Sequence, residues 1–127
     1  MRILLDTSVF LRAITGSKSL KKSHRELYID EDSELYLSVA SIWEMLIKSG
    51  LGKLPLPSPA ADYLQKQLTV NRIAMLGIRA QHLAALERLP PLHRDPFDRM
   101  LIAQAIAEGM PVATTDSLVR RYQVKVL

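Results

Sequence analysis

RILL at residues 2–5 is a short apolar run ending on Asp6, the pattern of a buried strand, and TSVFLRAI behind it takes up helical spacing with Thr7 or Ser8 available as cap. Gly16 closes that helix. The pattern then predicts a helix over Leu20 to Ile29, an acidic turn, a strand over Leu35 to Ser38, and a helix over Val39 to Lys48 stopped by Gly50 and Gly52. Pro55, Pro57 and Pro59 make LGKLPLPSP an extended connector, and Pro59 suits the first turn of a helix over AADYLQKQL. Further on, Arg72 to Gly77 reads as a strand, Arg79 to Leu89 as a helix, PPLHRDP as a rigid loop, and Phe97 to Ala107 as a helix ended by Gly109. Pro111 to Thr115 and Gln123 to Val126 read as short strands either side of a helical turn at Ser117 to Arg121. Strands alternating with helices imply a central parallel sheet with helices on both faces, a three-layer α/β/α sandwich.

A length of 127 residues with 48% apolar composition fits one domain, residues 1–127, with a core on both sides of the sheet. There is no cysteine, which excludes a disulfide frame and a thiolate metal site. The start, MRILLD, is too short in its apolar part for a signal peptide, and no apolar stretch nears the roughly 20 residues of a membrane span. A cytoplasmic, membrane-free protein is the expectation. Net charge is +4 and the pI is near 9.6, yet Asp30, Glu31, Asp32 and Glu34 crowd one segment, so the remainder is distinctly basic. A basic surface around an acidic pocket suits a polyanion, although solubility alone would also account for it.

Four acids stand at positions where such a fold exposes functional groups: Asp6 in LLDTSVFL, Glu44 in SVASIWEMLIK, Asp98 in RDPFDRMLIAQA and Asp116 in VATTDSL. Asp6 and Asp116 each follow a predicted strand, at the edge where open α/β sheets bind ligands; each is equally suited to cap the helix behind it. Asp98 heads the stripe of Leu101, Ile102 and Ala105, where burial without a partner would be costly, and a first-turn position near the helix dipole with Asp95 as cap explains it as well. Glu44 lies on a polar line with Ser41 and Lys48 along an otherwise apolar helix, and a solvated Glu44–Lys48 pair is the simpler account of that line. Carboxylates so far apart in sequence can meet only if a parallel sheet gathers them, and their meeting is costly unless a divalent cation offsets the repulsion. His24, His82 and His93 lack zinc-site spacing, and His93 reads as part of its proline-rich loop, within possible reach of a substrate. Glycine-rich phosphate loops and GxSxG nucleophile motifs are missing.

LLDTSVFL, SVASIWE, HRDPFDRMLIAQA and VATTD, in that order, make the chain resemble the PIN-domain ribonucleases, and within them the VapC-type toxins of toxin–antitoxin pairs. The resemblance spans essentially the whole chain, though Gly50 to Arg72 carries no motif. It implies a PIN-like fold with Asp6, Glu44, Asp98 and Asp116 at the sheet's C-terminal edge, binding one or two Mg²⁺ or Mn²⁺ ions. Ala103 and Ala105, five and seven residues behind Asp98, align that residue rather than Asp95 with the family's acid. Asp6 and Asp98 are then the direct ligands, with Glu44 and Asp116 holding the metal, its waters or a second ion. Thr7 and Thr114 match hydroxyl positions beside the site, and Arg94 and Arg99 flank the third motif as candidate phosphate contacts. The implied activity is metal-dependent hydrolysis of RNA leaving 5′-phosphate and 3′-hydroxyl ends. The implied partners are an antitoxin protein laid across the cleft and a second copy in a homodimer. Two rivals stay open: a silent PIN-like module that binds RNA or protein, and a Mg²⁺-dependent phosphohydrolase of small esters, which would lack its DxDxT signature here.

Overall fold

The computed structural model describes all residues, 1–127. Four strands, β1 (Arg2–Leu5), β2 (Glu34–Ser38), β3 (Ile73–Leu76) and β4 (Val112–Ala113), form one sheet in the order β3-β2-β1-β4, every pair parallel. Six helices accompany them: α1 (Thr7–Ile14), α2 (Lys22–Ile29), α3 (Val39–Gly50), α4 (Ala60–Val70), α5 (Ala80–Glu87) and α6 (Pro96–Glu108). The predicted three-layer α/β/α architecture is the one observed.

Alternation along β1 distributes its side chains to two cores. Ile3 and Leu5 join Val9, Phe10, Leu35, Leu37, Met45 and Leu64 on one side of the sheet. Leu4 joins Leu76, Leu101, Ala105, Met110 and Val112 on the other. β1 lies between β2 and β4, so its C-terminal end, where Asp6 follows, has a strand end on either side. The Asp6 N–H donates to the Ala113 carbonyl at 3.0 Å, which fixes the start of α1 against the end of β4.

Several predicted boundaries move. The second helix starts at Lys22 rather than Leu20, and Pro59 stands just outside α4 as its N-cap instead of in its first turn. The strand predicted over Pro111 to Thr115 shortens to Val112–Ala113, and Gln123 to Val126 makes no strand at all. With so short an edge to pair against, the tail forms one parallel bridge, Val126 to Val112. Gly109, in the left-handed region at φ 67°, ends α6 as anticipated.

Candidate metal centre

Asp6 occupies the N-cap position of α1, yet its carboxylate makes no capping bond. Its Oδ2 instead accepts the Thr114 hydroxyl at 2.6 Å and the Ser8 hydroxyl at 3.3 Å. Capping therefore does not account for Asp6, and Thr114 serves to orient this carboxylate. Thr114 Oγ1 also accepts the Asp116 N–H at 3.0 Å, tying the segments of the two acids together. The Thr7 hydroxyl points elsewhere and donates to Ser41 Oγ at 2.8 Å, locking α1 to α3.

Ser38 ends β2 and caps α3, its Oγ accepting the Ala40 N–H. Farther along that helix Glu44 is only 6% exposed. The simple surface pair fails to describe it: Oε2 does accept Lys48 Nζ at 3.1 Å, but Oε1 is buried with no hydrogen-bond partner. A buried carboxylate oxygen left bare is costly, and a cation in front of it would remove that cost.

The start of α6 separates the two acids that compete for the third position. Asp95 Oδ1 accepts the N–H groups of Phe97 and Asp98 at 2.8 and 3.3 Å, so Asp95 is the helix cap. Asp98 is left free to face the cleft. Burial pushes its carboxyl up to about 7, the charges of Asp6, Asp95 and Glu44 push the same way, and His93 opposes them. Asp116 Oδ1 accepts the Leu118 N–H at 2.9 Å, so local capping explains one of its oxygens and leaves the other.

That other oxygen meets a residue the sequence undervalued. His93 Nε2 lies 2.9 Å from Asp116 Oδ2 and 3.1 Å from Asp98 Oδ2, joining two of the acids. Its Nδ1 receives the Asp95 backbone N–H at 3.1 Å, so the neutral ring carries its proton on Nε2 and donates it to the carboxylates. The ligand atoms of His93, Asp98 and Asp116 fall within 4.8 Å of one another. Because Nε2 is committed as a donor, His93 holds the acids in place; it leaves Asp98 Oδ1 for a cation, whereas both Asp116 oxygens already have partners. The one available signal was its place two residues before Asp95.

Asp6, Glu44, Asp98 and Asp116 line a single cleft of about 270 Å³, together with Ser8, Thr7, Lys48, Asp95, Leu11 and Thr115. The fold thus gathers all four predicted acids. The arginines divide: Arg94 is exposed, whereas Arg99 donates to the carbonyls of Pro90 and, at the longer distance of 3.5 Å, His93, which makes it a brace for the loop rather than a free phosphate contact.

A parallel sheet with carboxylates gathered in a cleft beside its C-terminal edge makes this an α/β protein whose cleft has the hard oxygen ligands that a divalent cation would take. Residues 3–125 match the PIN domain model, and the chain belongs to the PIN-domain family. A curated relative, Ribonuclease VapC16 of Mycobacterium tuberculosis, is 35% identical over 60 residues, a stretch covering 47% of this chain and 43% of that protein, less than half of each. Among solved structures, VapBC2 from Rickettsia felis bound to a promoter DNA fragment superposes with a TM-score of 0.72 at 18% identity, covering 100% of this chain and 98% of the other. A toxin–antitoxin complex from Klebsiella pneumoniae gives 0.64 at 10% identity, covering 98% and 95%. At these identities the structures establish a shared fold. No helix is long and apolar enough to cross a membrane.

Proposed function

We propose that the chain is a metal-dependent endoribonuclease, the toxin of a toxin–antitoxin pair, with Asp6, Glu44, Asp98 and Asp116 as its metal-holding and catalytic residues. The observation that carries this reading is the cleft itself, where four acids from distant segments converge around a buried, unpartnered Glu44 oxygen. A structure without use for a cation would gain nothing from that convergence. The resident ion of the reading is Mg²⁺, or Mn²⁺ in its place, since the free ligands are hard oxygens. Asp6 and Asp98 would hold it directly, with Glu44 and Asp116 supporting.

When bound, the cation would offset the carboxylates' repulsion and the charge that builds on a phosphodiester under attack. The chain's own groups do the rest. The Ser8 and Thr114 hydroxyls set the rotation of Asp6, and His93 Nε2–H sets the spacing of Asp98 and Asp116. Without a cation, burial and the neighbouring acids hold the Asp98 carboxyl up at about 7, and a bound cation would favour its ionised form. Lys48, half exposed at the rim and donating one N–H to Glu44, keeps further N–H donors for substrate phosphate.

The name of the curated relative and the fold shared with toxin–antitoxin assemblies support RNA as substrate and an antitoxin as partner; a homodimer completes the proposal. The test is cleavage of labelled single-stranded RNA, single-stranded DNA and a small phosphate ester, each with Mg²⁺, with Mn²⁺ and with chelator. RNA alone should be cut, and only with the cation. Asp6→Asn and Asp98→Asn should each lower that activity by roughly 10²-fold or more while leaving the circular dichroism spectrum unchanged. Retained cleavage in both variants would refute the assignment.

A further inference from the structure

Trp43 is the chain's only tryptophan and is 60% exposed. An indole in water leaves a large flat apolar surface uncovered, and its position suggests what covers it. Trp43 immediately precedes Glu44 on α3, and Phe97 immediately precedes Asp98 on α6. The two rings meet edge to face, centroids 5.3 Å apart and planes at 78°. This aromatic pair therefore joins the two helices that carry two of the cleft's acids. Cations flank the same cleft: Lys48 lines it, and the Arg12 guanidinium reaches Thr115 at its margin.

We propose that Trp43, braced by Phe97, is a platform on which one unpaired base of single-stranded RNA stacks while its backbone lies at the carboxylate cleft. The inference rests on the nuclease reading of that cleft and names how its substrate is held. A single strand offers base faces that a duplex hides, and stacking on an exposed aromatic ring is the ordinary way to grip them. The same platform would favour unpaired over paired RNA. Ile47 on α3 and Leu51, its C-cap, are also exposed, one and two turns farther from the end of β2, and such a stripe suits a protein partner. RNA is favoured for Trp43 because the aromatic end of the stripe is the part next in sequence to Glu44 and, through Phe97, to Asp98, two acids of the cleft that Lys48 and Arg12 flank.

With no second tryptophan, the intrinsic fluorescence of the full chain reports on this ring alone. In chelator, where cleavage is stopped, a single-stranded oligoadenylate should quench the emission, and an RNA duplex of equal length should quench far less. Trp43→Ala should bind the labelled oligonucleotide about ten-fold more weakly, with Trp43→Phe recovering most of the loss. Melting temperatures close to the parent's would show both variants folded. Unchanged affinity in Trp43→Ala, or emission indifferent to saturating RNA, overturns the platform. So does emission that is blue-shifted in the free protein and reddens on dilution, since that places the indole beneath another protein. Quenching in a protein that cuts no RNA with any cation keeps the platform and removes the nuclease; cutting without quenching does the reverse.

Discussion

Asp98 is the acid whose surroundings resist its charge most, and that has a measurable signature. A carboxyl raised from 3.8 to about 7 binds its proton more tightly in the folded chain than in the unfolded one. Its contribution to stability is therefore complete below 3.8 and is lost as pH rises through about 7. In chelator, the parent's melting temperature should fall across that window more steeply than that of Asp98→Asn; parallel curves would mean that Asp98 is not held as described. Asn at this position also relieves repulsion, so the metal-free variant should melt no lower than the metal-free parent. Cation binding asks for the ionised form, and calorimetric affinity for Mn²⁺ should tighten as pH rises past 7. The four acids were legible in the sequence because a strand end or a motif announced each one. His93 was not, since one imidazole in a proline-rich loop points wherever the loop is folded, and that is settled by groups far along the chain. Trp43, with Leu27, Tyr28 and Leu46, reads from the sequence as core or as part of a partner groove, and its exposure was not legible for a related reason: α3 is apolar nearly all round, and periodicity cannot choose which of its apolar faces the sheet will leave uncovered.

The loop that carries His93 is shaped chiefly by one hydroxyl. Tyr122 Oη accepts the N–H groups of Leu92 and His93 at 3.1 and 2.8 Å and donates to the Pro90 carbonyl at 3.0 Å. Arg99 closes the loop from the helix side. Tyr122→Phe should deprive three backbone groups of this partner, at a cost of about 1–3 kcal/mol, read from urea denaturation. Amide exchange at Leu92 and His93 should quicken in the same variant, and RNA cleavage should fall because His93 no longer spaces Asp98 and Asp116; normal exchange at those amides would dismiss this account. The central strands and longer helices were legible because their patterns are strong over several residues. β4 and the tail were not, because a two-residue strand owes its existence to Leu4 and Leu5 beside it rather than to its own sequence.

Across the molecule, the cleft is a junction of α1, α3, α6 and the turn after β4, so a cation bound there would tie together segments that otherwise meet through packing and a few hydrogen bonds. A ligand that binds only the folded state stabilises it by mass action, about 2.7 kcal/mol at a concentration a hundred times its Kd. Saturating Mg²⁺ or Mn²⁺ should therefore raise the parent's melting temperature, and Asp6→Asn or Asp98→Asn should abolish most of the rise. An equal rise in the variants would locate the ion elsewhere.

The Thr114–Asp6 hydrogen bond spans 108 positions of chain. During synthesis Asp6 leaves the ribosome long before its hydroxyl partner, the strand end beside it and the fourth acid. A polypeptide stalled before Val112 carries three of the acids and lacks the frame that aligns them, so on the nuclease reading cleavage should wait until that last strand has been translated.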